Sequence, residues 1–519
     1  MNLSSDVAII GAGHNGLVAA ILLARAGLSV TVLDEQSVIG GAAKTEYPFP
    51  KAPNLGTSTG AYLLGVMPPE LLAKLGARLT LIRRDPHYFL PTTGSRYLLF
   101  GSDADAMRHQ FLSFFSEKDW LANQALTQEI GQIRDDLAPA FLEEPLSLEQ
   151  TAGRYIRPSL RRIFVDLVTQ PVENYLHRFG FESDLLLAMY AVTDGFSGLT
   201  AGFGDTGTGL NFLFHNMCRL PGSDGTWMIA QGGMGSVTRE LGRLATEAGA
   251  KFFTSARVDR IITQGNRVVG VALEDGREVN AATILSNADP FRMRDLAGAE
   301  KFSDDFNAKL DGFKRPGTTL KVNLALERLP TFRCLPQNRG QHNATIHLLP
   351  QDTDVIAAVR KAYEEVKAGR LADFPTIEWY IHTQADPSLQ DDQKRHNAAF
   401  FVEWVPYELQ QGTWDEQESR YVQHLLNIAE QFAPGLTNSV VDAFTLTPKK
   451  IERHFGIRYG HIHHVDNTFG FDRRMPYSTP IAGLYSCSAG CHPAGSVMGC
   501  AGHNAANRIL KDLAIKPTI

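Results

Sequence analysis

The first 34 residues alternate between two hydrophobic patterns. Residues 6–10 are a short apolar run that ends in glycines, which predicts a buried strand. Residues 17–25 have helical spacing and are followed by Gly27, and residues 29–33 alternate toward a second buried strand that ends on Asp34. This part of the chain is therefore predicted to form a strand, a turn, a helix and a second strand.

Helical patterns and charged residues become denser beyond this unit. Residues 107–117, 120–141 and 148–177 each have a helical pattern. Between residues 195 and 235, glycines alternate with aromatic residues, which predicts a loop-rich wall that lines a cavity. The candidate wall residues are Tyr62, Phe203, Phe212, Phe214 and Trp227.

A second group of strand patterns follows a predicted helix at residues 236–247. Asp275-Gly276 predicts a hairpin turn between the last two of these strands. The predicted strands are 251–253, 257–262, 268–273 and 278–280. Farther along, the chain mixes strands and helices without an internal repeat. Examples are a strand at 320–326 and helices at 357–367 and 416–431.

The turn between the first strand and the first helix has the GxGxxG arrangement, with Gly11, Gly13 and Gly16. Gly11 permits a tight turn, Gly13 lets the backbone approach a pyrophosphate, and Gly16 allows close packing of the helix. Asp34 follows Gly16 by 18 residues, at the tip of the second strand, where a carboxylate accepts a hydrogen bond from a ribose hydroxyl. Together these features predict a dinucleotide-binding turn.

The order of the patterns predicts an α/β protein in which a Rossmann-like nucleotide-binding domain is interleaved with a mixed α+β cap domain. A chain of 519 residues exceeds what one hydrophobic core usually covers, so two domains are expected. The predicted nucleotide-binding domain comprises residues 1–70, 225–292 and 478–519. The predicted cap domain comprises residues 71–224 and 293–477.

Two further segments indicate FAD rather than free NAD. Residues 40–43 are Gly-Gly-Ala-Ala, and their small side chains let a second backbone segment approach the same cofactor. Residues 483–499 contain a predicted strand that ends at Ser486, several glycines, and a helix predicted to begin near Ser496. The start of a helix favours negative charge, which a reduced flavin carries beside its N1 and O2 atoms. We therefore expect this segment to lie beside a flavin.

The segments at residues 11–16, 40–43 and 483–499 resemble motifs of the flavin amine oxidase and phytoene desaturase superfamily. The resemblance covers nearly the whole chain, is strongest to the phytoene dehydrogenase-like subgroup, and implies that FAD is the cofactor. It includes Asp194, Trp227 and residues 207–215, 232–236, 258–261, 268–271, 286–290 and 460–464.

The resemblance also implies which residues contact FAD, including Val258, whose backbone is expected to meet the adenine. The chain differs from the family pattern at Asp34, where glutamate is commoner, and at Ala494 and Ser496, where glycines are commoner. These differences alter the space beside the flavin. The predicted FAD-binding residues are Gly11, Gly13, His14, Asn15, Gly16, Asp34, Glu35, Gly40, Gly41, Ala42, Ala43, Val258, Gly490, Ser496, Val497 and Met498.

Composition and charge narrow the range of partners. Hydrophobic residues make up 44% of the chain and charged residues 20%, which is typical of a globular enzyme. A net charge of -6 without a basic stripe predicts no binding to nucleic acid. The first residues lack a charged leader and a cleavage site, and no apolar window is long enough for a spanning helix. We expect a cytoplasmic protein, and peripheral contact with a membrane surface stays open.

Few side chains are candidates for metal binding or acid–base chemistry. The five cysteines form neither a CxxC pair nor a zinc site. If residues 461–464 formed a strand, His461 and His463 would share one face and His464 would lie on the other, which is unsuited to one metal. We therefore predict no metal. The candidate catalytic residues are His463, His464 and His492, with ordinary structural roles as the alternative.

These features predict an FAD-dependent dehydrogenase, desaturase or oxidase that takes a hydride from a largely apolar small molecule. An electron acceptor outside the chain, such as oxygen or a quinone, would reoxidise the flavin. Two alternatives stay open: a redox-neutral isomerase of a polyene, and a non-enzymatic protein in which FAD is structural. The sequence leaves the substrate, the acceptor and the oligomeric state open.

Overall fold

The structure, a computed structural model, describes residues 3–350 and 354–516. Two seven-stranded sheets organise this part of the chain. The first sheet draws its strands from residues 3–33, 251–286 and 484–486, and the second from residues 88–100 and 319–446. The chain therefore leaves the first sheet and returns to it twice, which confirms the predicted interleaved α/β fold.

The first sheet is parallel at its centre. Strand Leu3–Ile10 pairs in parallel with Val30–Leu33 on one side and with Glu278–Ser286 on the other, and Leu484–Ser486 adds to Glu278–Ser286. The carboxyl ends of these four strands lie at one edge, where ligands bind in open α/β sheets. The remaining strands are Lys251–Phe253, Val258–Gln264 and Arg267–Leu273.

Three helices cover the first sheet and share its core: His14–Arg25, Met234–Glu247 and Cys500–Asp512. The first and last of these are in close contact, because a Cβ atom at Gly502 would lie 2.0 Å from the carbonyl oxygen of Asn15. The predicted elements of this sheet are confirmed with shifted ends: the first helix begins at His14 rather than at residue 17. The contact between the two helices holds both chain ends of the sheet together.

The second sheet is mainly antiparallel and carries its own core. Helix Trp414–Phe432 packs against one face of this sheet. One strand pair, Thr345–Leu348 with Tyr88–Pro91, is parallel. The sheet order is Val440–Leu446, Thr319–Leu326, His396–Glu403, Thr376–Tyr380, Thr345–Leu348, Tyr88–Pro91 and Tyr97–Phe100.

The region between the sheets is helical, but one predicted helix is interrupted. The continuous pattern at residues 148–177 forms three helices, Leu148–Tyr155, Arg161–Thr169 and Val172–His177. Pro158 and Pro171 end the preceding segments because proline cannot donate the backbone hydrogen bond of a helix interior. Other helices are Pro69–Leu75, Ala104–Phe114, Glu117–Leu137, Asp184–Tyr190, Pro290–Ala297, Asp304–Gly312, Val355–Lys367 and Pro448–Phe455.

The segment predicted as a loop-rich wall is partly helical. Residues Thr208–His215 form a helix, and Phe203, Phe212 and Phe214 are buried in the core of the cap helices. The prediction that these three rings form a cavity wall was wrong, because the helix turns them toward neighbouring helices. Among the described residues, no helix is both long enough and apolar enough to cross a membrane.

Candidate active site

One cavity of about 340 Å³ extends from the carboxyl edge of the first sheet to the second sheet. We call the part beside the first sheet the nucleotide end, because the glycine turn and Asp34 line it. We call the part beside the second sheet the inner wall. The inner wall is formed by Tyr62, Asp194, His215, Trp227, Lys321, Glu378, Tyr380 and Phe401. The cavity therefore joins the predicted cofactor turn to residues of the cap.

Two glycine segments meet at the nucleotide end. Gly11 has φ +93°, and a Cβ at Gly13 would lie 2.6 Å from Asn287 Nδ2. The Gly40 N–H donates to the Ala12 carbonyl at 2.9 Å, and a Cβ at Gly41 would lie 3.3 Å from Gly13 Cα. Side chains at these positions would fill the cradle, so glycine keeps the backbone of both segments open to a ligand.

The first helix presents unpaired polar groups to this cradle. Its N-cap is Gly13, which offers no capping side chain, and its first turn contains no acidic residue. The N–H groups of that turn are therefore available to an anion. His14 Nε2 is buried without a hydrogen-bond partner, and burial lowers the His14 pKa to about 4. A neutral, unpartnered ring nitrogen at this place fits a polar ligand.

Asp34 supports the glycine turn directly. Its carboxylate accepts hydrogen bonds from the Ala12 N–H at 2.7 Å and the Gln36 N–H at 2.8 Å, and burial raises its pKa. The neighbouring Glu35 lies 3.5 Å from Arg257 Nε and 3.6 Å from Arg292 Nη1. Asp34 thus fixes the turn from below, in addition to the ribose contact that the sequence predicts.

The C-terminal segment reaches the same cavity, but not through a helix start. The helix begins at Cys500, one turn later than predicted, because Gly499 has φ +74° and interrupts the helical backbone. Ser496 and Val497 line the cavity from the irregular segment before the helix. The prediction that a helix begins beside Ser496 was wrong, whereas the convergence of residues 11–16 and 490–499 is confirmed.

Twelve of the sixteen predicted FAD-binding residues line the cavity. They are Gly11, Gly13, His14, Asn15, Asp34, Glu35, Gly41, Ala42, Ala43, Val258, Ser496 and Val497. The other four act in packing. A Cβ at Gly16 would lie 2.4 Å from the Gly11 carbonyl oxygen, and one at Gly40 would lie 2.7 Å from Thr238 Oγ1. Gly490 packs against Val465, and Met498 is in the core of the cap helices.

The candidate catalytic histidines occupy different surroundings. Residues 461–464 form a turn and not a strand, so the predicted alternation of faces does not apply. His463 and His464 line the cavity, and burial lowers the pKa of each to about 3. His463 Nε2 donates to the Ser197 carbonyl at 3.1 Å, whereas His464 Nδ1 is buried without a partner. Both rings are therefore neutral at physiological pH.

His492 does not fit the predicted place beside the flavin. It does not line the cavity, and its Nε2 lies 3.0 Å from the Ala140 carbonyl oxygen, in the contact with the cap. Its side chain is packed between the two parts of the fold and does not face a ligand. In residues 3–350 and 354–516, no group of three potential ligands could hold a metal ion.

The inner wall contains ionisable groups that sequence reasoning missed. Lys321 is 3% exposed, and its Nζ lies 4.2 Å from the ring centroids of both Tyr62 and Phe401. Burial lowers the Lys321 pKa to about 7 and raises the Glu378 pKa to about 7. The Tyr380 hydroxyl donates to Glu378. A lysine inside the otherwise mainly apolar strand Thr319–Leu326 was the available signal.

Comparison with known proteins now identifies the fold and the cofactor. The sequence pattern of the family described as flavin containing amine oxidoreductase matches residues 16–340. A protein from Rattus norvegicus, pyridine nucleotide-disulfide oxidoreductase domain-containing protein 2, is 33% identical over 557 residues, which cover 98% of this chain and 94% of the rat protein. The chain belongs to the flavin-containing amine oxidoreductase family. It is an FAD-dependent oxidoreductase, and the nucleotide end fits that cofactor.

Two further relatives and two solved structures have a similar extent. A limonene dehydrogenase from Castellaniella defragrans is 25% identical, with 98% of this chain and 95% of that protein covered. Hydroxyneurosporene desaturase from Rhodobacter capsulatus is 26% identical, with 99% of both covered. An oxidoreductase structure from Methanosarcina mazei has a TM-score of 0.64 at 17% identity, covering 98% and 100%. Putrescine oxidase bound to putrescine has a TM-score of 0.58 at 17% identity, covering 99% and 100%. The two structures share the fold.

Proposed function

We propose that this flavoprotein oxidises a largely apolar small molecule by hydride transfer to FAD, as a dehydrogenase, desaturase or oxidase. The observation that carries the proposal is the single cavity that joins the nucleotide end to the inner wall. A cofactor held at the glycine turn and a substrate held against the cap would share this space. Tyr62, Trp227 and Phe401 provide aromatic faces for an apolar substrate.

The relatives support an apolar substrate over an amine. Two of them are named for limonene and hydroxyneurosporene, of which limonene is a hydrocarbon. The inner wall holds Lys321 between two aromatic rings, and no carboxylate oxygen in the described residues lies within 4.0 Å of its Nζ. An ammonium substrate would add a second cation to this enclosed wall, which is unfavourable in a low-dielectric site.

The residues of the chain would bind, orient and exclude water. FAD, when bound, supplies the two-electron acceptor for a C–H bond. The N–H groups at the start of the first helix would hold its pyrophosphate, and the aromatic faces of Tyr62 and Phe401 would orient the substrate. His463 and His464 line the same space as neutral rings. The electron acceptor that completes the cycle would be a separate molecule.

The test is anaerobic reduction of the purified holoenzyme by terpene and polyene hydrocarbons. Bleaching of the flavin absorbance band, slowed when the reacting C–H bond carries deuterium, is the expected result. Conversion of a polyene to its isomer without net bleaching would assign the redox-neutral reaction instead. Bleaching by putrescine and other amines, but by no hydrocarbon, would overturn the apolar substrate. Oxygen and a quinone, added separately after reduction, would identify the acceptor.

A further inference from the structure

The inner wall contains an acid and an imidazole whose facing atoms have no protein partner. Asp194 lies in a π-helical turn, Ala191–Gly195, and lines the cavity. Its Oδ2 accepts a hydrogen bond from Asn216 Nδ2 at 3.1 Å, whereas its Oδ1 lies 3.8 Å from His215 Nδ1. That separation is too long for a hydrogen bond. Single π-helical turns occur frequently at functional sites because they redirect side chains.

The Asp194–His215 pair is held in place from the protein side. The Asp194 carbonyl accepts a hydrogen bond from Asn211 Nδ2 at 3.0 Å, and the His215 carbonyl accepts one from Trp227 Nε1 at 3.2 Å. The His215 and Trp227 rings are 5.6 Å apart. Within the described part of the chain, neither Asp194 Oδ1 nor the His215 ring forms a hydrogen bond. Two fixed polar groups therefore direct unused hydrogen-bonding capacity at the cavity.

The geometry of the pair suits one bridging oxygen atom. Hydrogen bonds to oxygen and nitrogen span about 2.7–3.0 Å, so an atom in front of a 3.8 Å gap can reach Asp194 Oδ1 and His215 Nδ1 together. A hydroxyl group both donates and accepts, and so it can satisfy a carboxylate and a ring N–H at once. A carbonyl oxygen has no proton for the carboxylate, and a hydrocarbon would leave both groups unpaired.

Charge favours a neutral head group over an ammonium. Burial raises the Asp194 pKa to about 7 and lowers the His215 pKa to about 4, so the pair carries at most one negative charge near neutral pH. Glu378 of the same wall interacts electrostatically with both Asp194 and Lys321. A positively charged head group would enter a wall that already holds the Lys321 side chain, whereas a hydroxyl adds no charge.

We propose that the Asp194–His215 pair binds the hydroxyl group of an otherwise apolar substrate. The inference rests on the proposed function, and it makes Asp194 a specificity-determining residue of that site. The aromatic faces of the inner wall hold the apolar body, and the pair selects for a polar end. Replacing the hydroxyl by hydrogen leaves a buried carboxylate unpaired, which costs more affinity than the loss of an apolar contact.

The test compares three probes with one skeleton: cyclohexylmethanol, cyclohexylmethylamine and methylcyclohexane. Binding to oxidised holoenzyme is measured by anaerobic calorimetry. The wild-type protein is expected to bind the alcohol at least about tenfold more tightly than the hydrocarbon and the amine. Asp194→Ala is expected to abolish this preference. Asp194→Asn, which keeps the shape of the side chain, is expected to reduce it several-fold. Asp205→Asn, an exposed cap position outside the cavity, is the control and is expected to keep it.

Three results would overturn the proposal: equal binding of alcohol and hydrocarbon, including no binding of either; tighter binding of the amine; or an unchanged preference in both Asp194 variants. The readout is independent of turnover. If the alcohol preference holds while no compound reduces the flavin, the proposed oxidation fails and the hydroxyl site stands. If hydrocarbons reduce the flavin without an alcohol preference, the reverse is true.

Discussion

Replacing Asp34 by alanine tests how the nucleotide end holds FAD. The carboxylate accepts two hydrogen bonds from backbone N–H groups, at Ala12 (2.7 Å) and Gln36 (2.8 Å). Asp34 is 8% exposed, so in the variant both N–H groups would lose their partner in a buried place. Hydrogen bonds to a charged group contribute about 1.5–3 kcal/mol each. Without FAD the turn is free to rearrange toward water, so much of the cost falls on cofactor binding.

Taking the lower value for each bond, Asp34→Ala is expected to lose about 3 kcal/mol of FAD affinity, which is about a hundredfold in Kd. Loss of the predicted ribose contact would add to this. Asp34→Asn retains one acceptor oxygen and is expected to lose about half as much. The assay is titration of apoprotein with FAD, followed by quenching of flavin fluorescence, together with the flavin content of the purified variants.

Asp6→Ala is the matched control for this series. Asp6 also accepts a hydrogen bond from a backbone N–H, that of Ser29 at 2.7 Å, on the same pair of strands. It lies at the opposite end of those strands and does not line the cavity. This variant is expected to keep the wild-type FAD Kd. If Asp34→Ala bound FAD as tightly as Asp6→Ala, the carboxylate would have no part in holding the cofactor turn.

Three other perturbations test separate parts of the account. Lys321→Met removes an amine whose folded-state pKa of about 7 lies below its usual 10.5, so the unfolded chain binds more protons between those values. The unfolding free energy of the wild-type protein should therefore rise by a few kcal/mol relative to the variant from pH 7 to 10, as measured by denaturant titration; parallel curves would contradict the burial of the amine. Gly502→Val places a Cβ 2.0 Å from the backbone of the first helix and should lower stability by more than about 3 kcal/mol, whereas Gly153→Ala, with no atom within 4 Å, should be neutral or stabilising in thermal unfolding; equal melting temperatures would refute the helix contact. Trp227→Ala should slow anaerobic flavin reduction by about tenfold or more while FAD content stays complete; an unchanged rate would remove Trp227 from the substrate wall.

The nucleotide end could be predicted because its signals are local. Gly11, Gly13 and Gly16 follow a strand and open a helix, and that spacing has few structural uses. Residues 40–43 follow the acidic strand end closely, and the structure brings them onto Gly13. The start of the last helix was misplaced by one turn because the positive φ at Gly499 is set by its surroundings and leaves no periodic pattern.

The inner wall could not be predicted in the same way. Asp194, His215, Lys321 and Glu378 come from four elements that are far apart along the chain, and only the packing of the cap against the second sheet brings them together. The aromatic residues at 203, 212 and 214 looked equally suited to a wall. Their burial depends on which side of helix Thr208–His215 meets its neighbours, and composition does not encode that choice.

The most direct test of the central claim is a crystal structure of the protein purified with its flavin. We expect pyrophosphate density at residues 11–15, adenine density beside Val258, and isoalloxazine density between Ser496–Val497 and the inner wall. Substrate-sized space should lie between that ring and Trp227. A bound flavin whose ring lies away from both residue 496 and the inner wall would contradict the account.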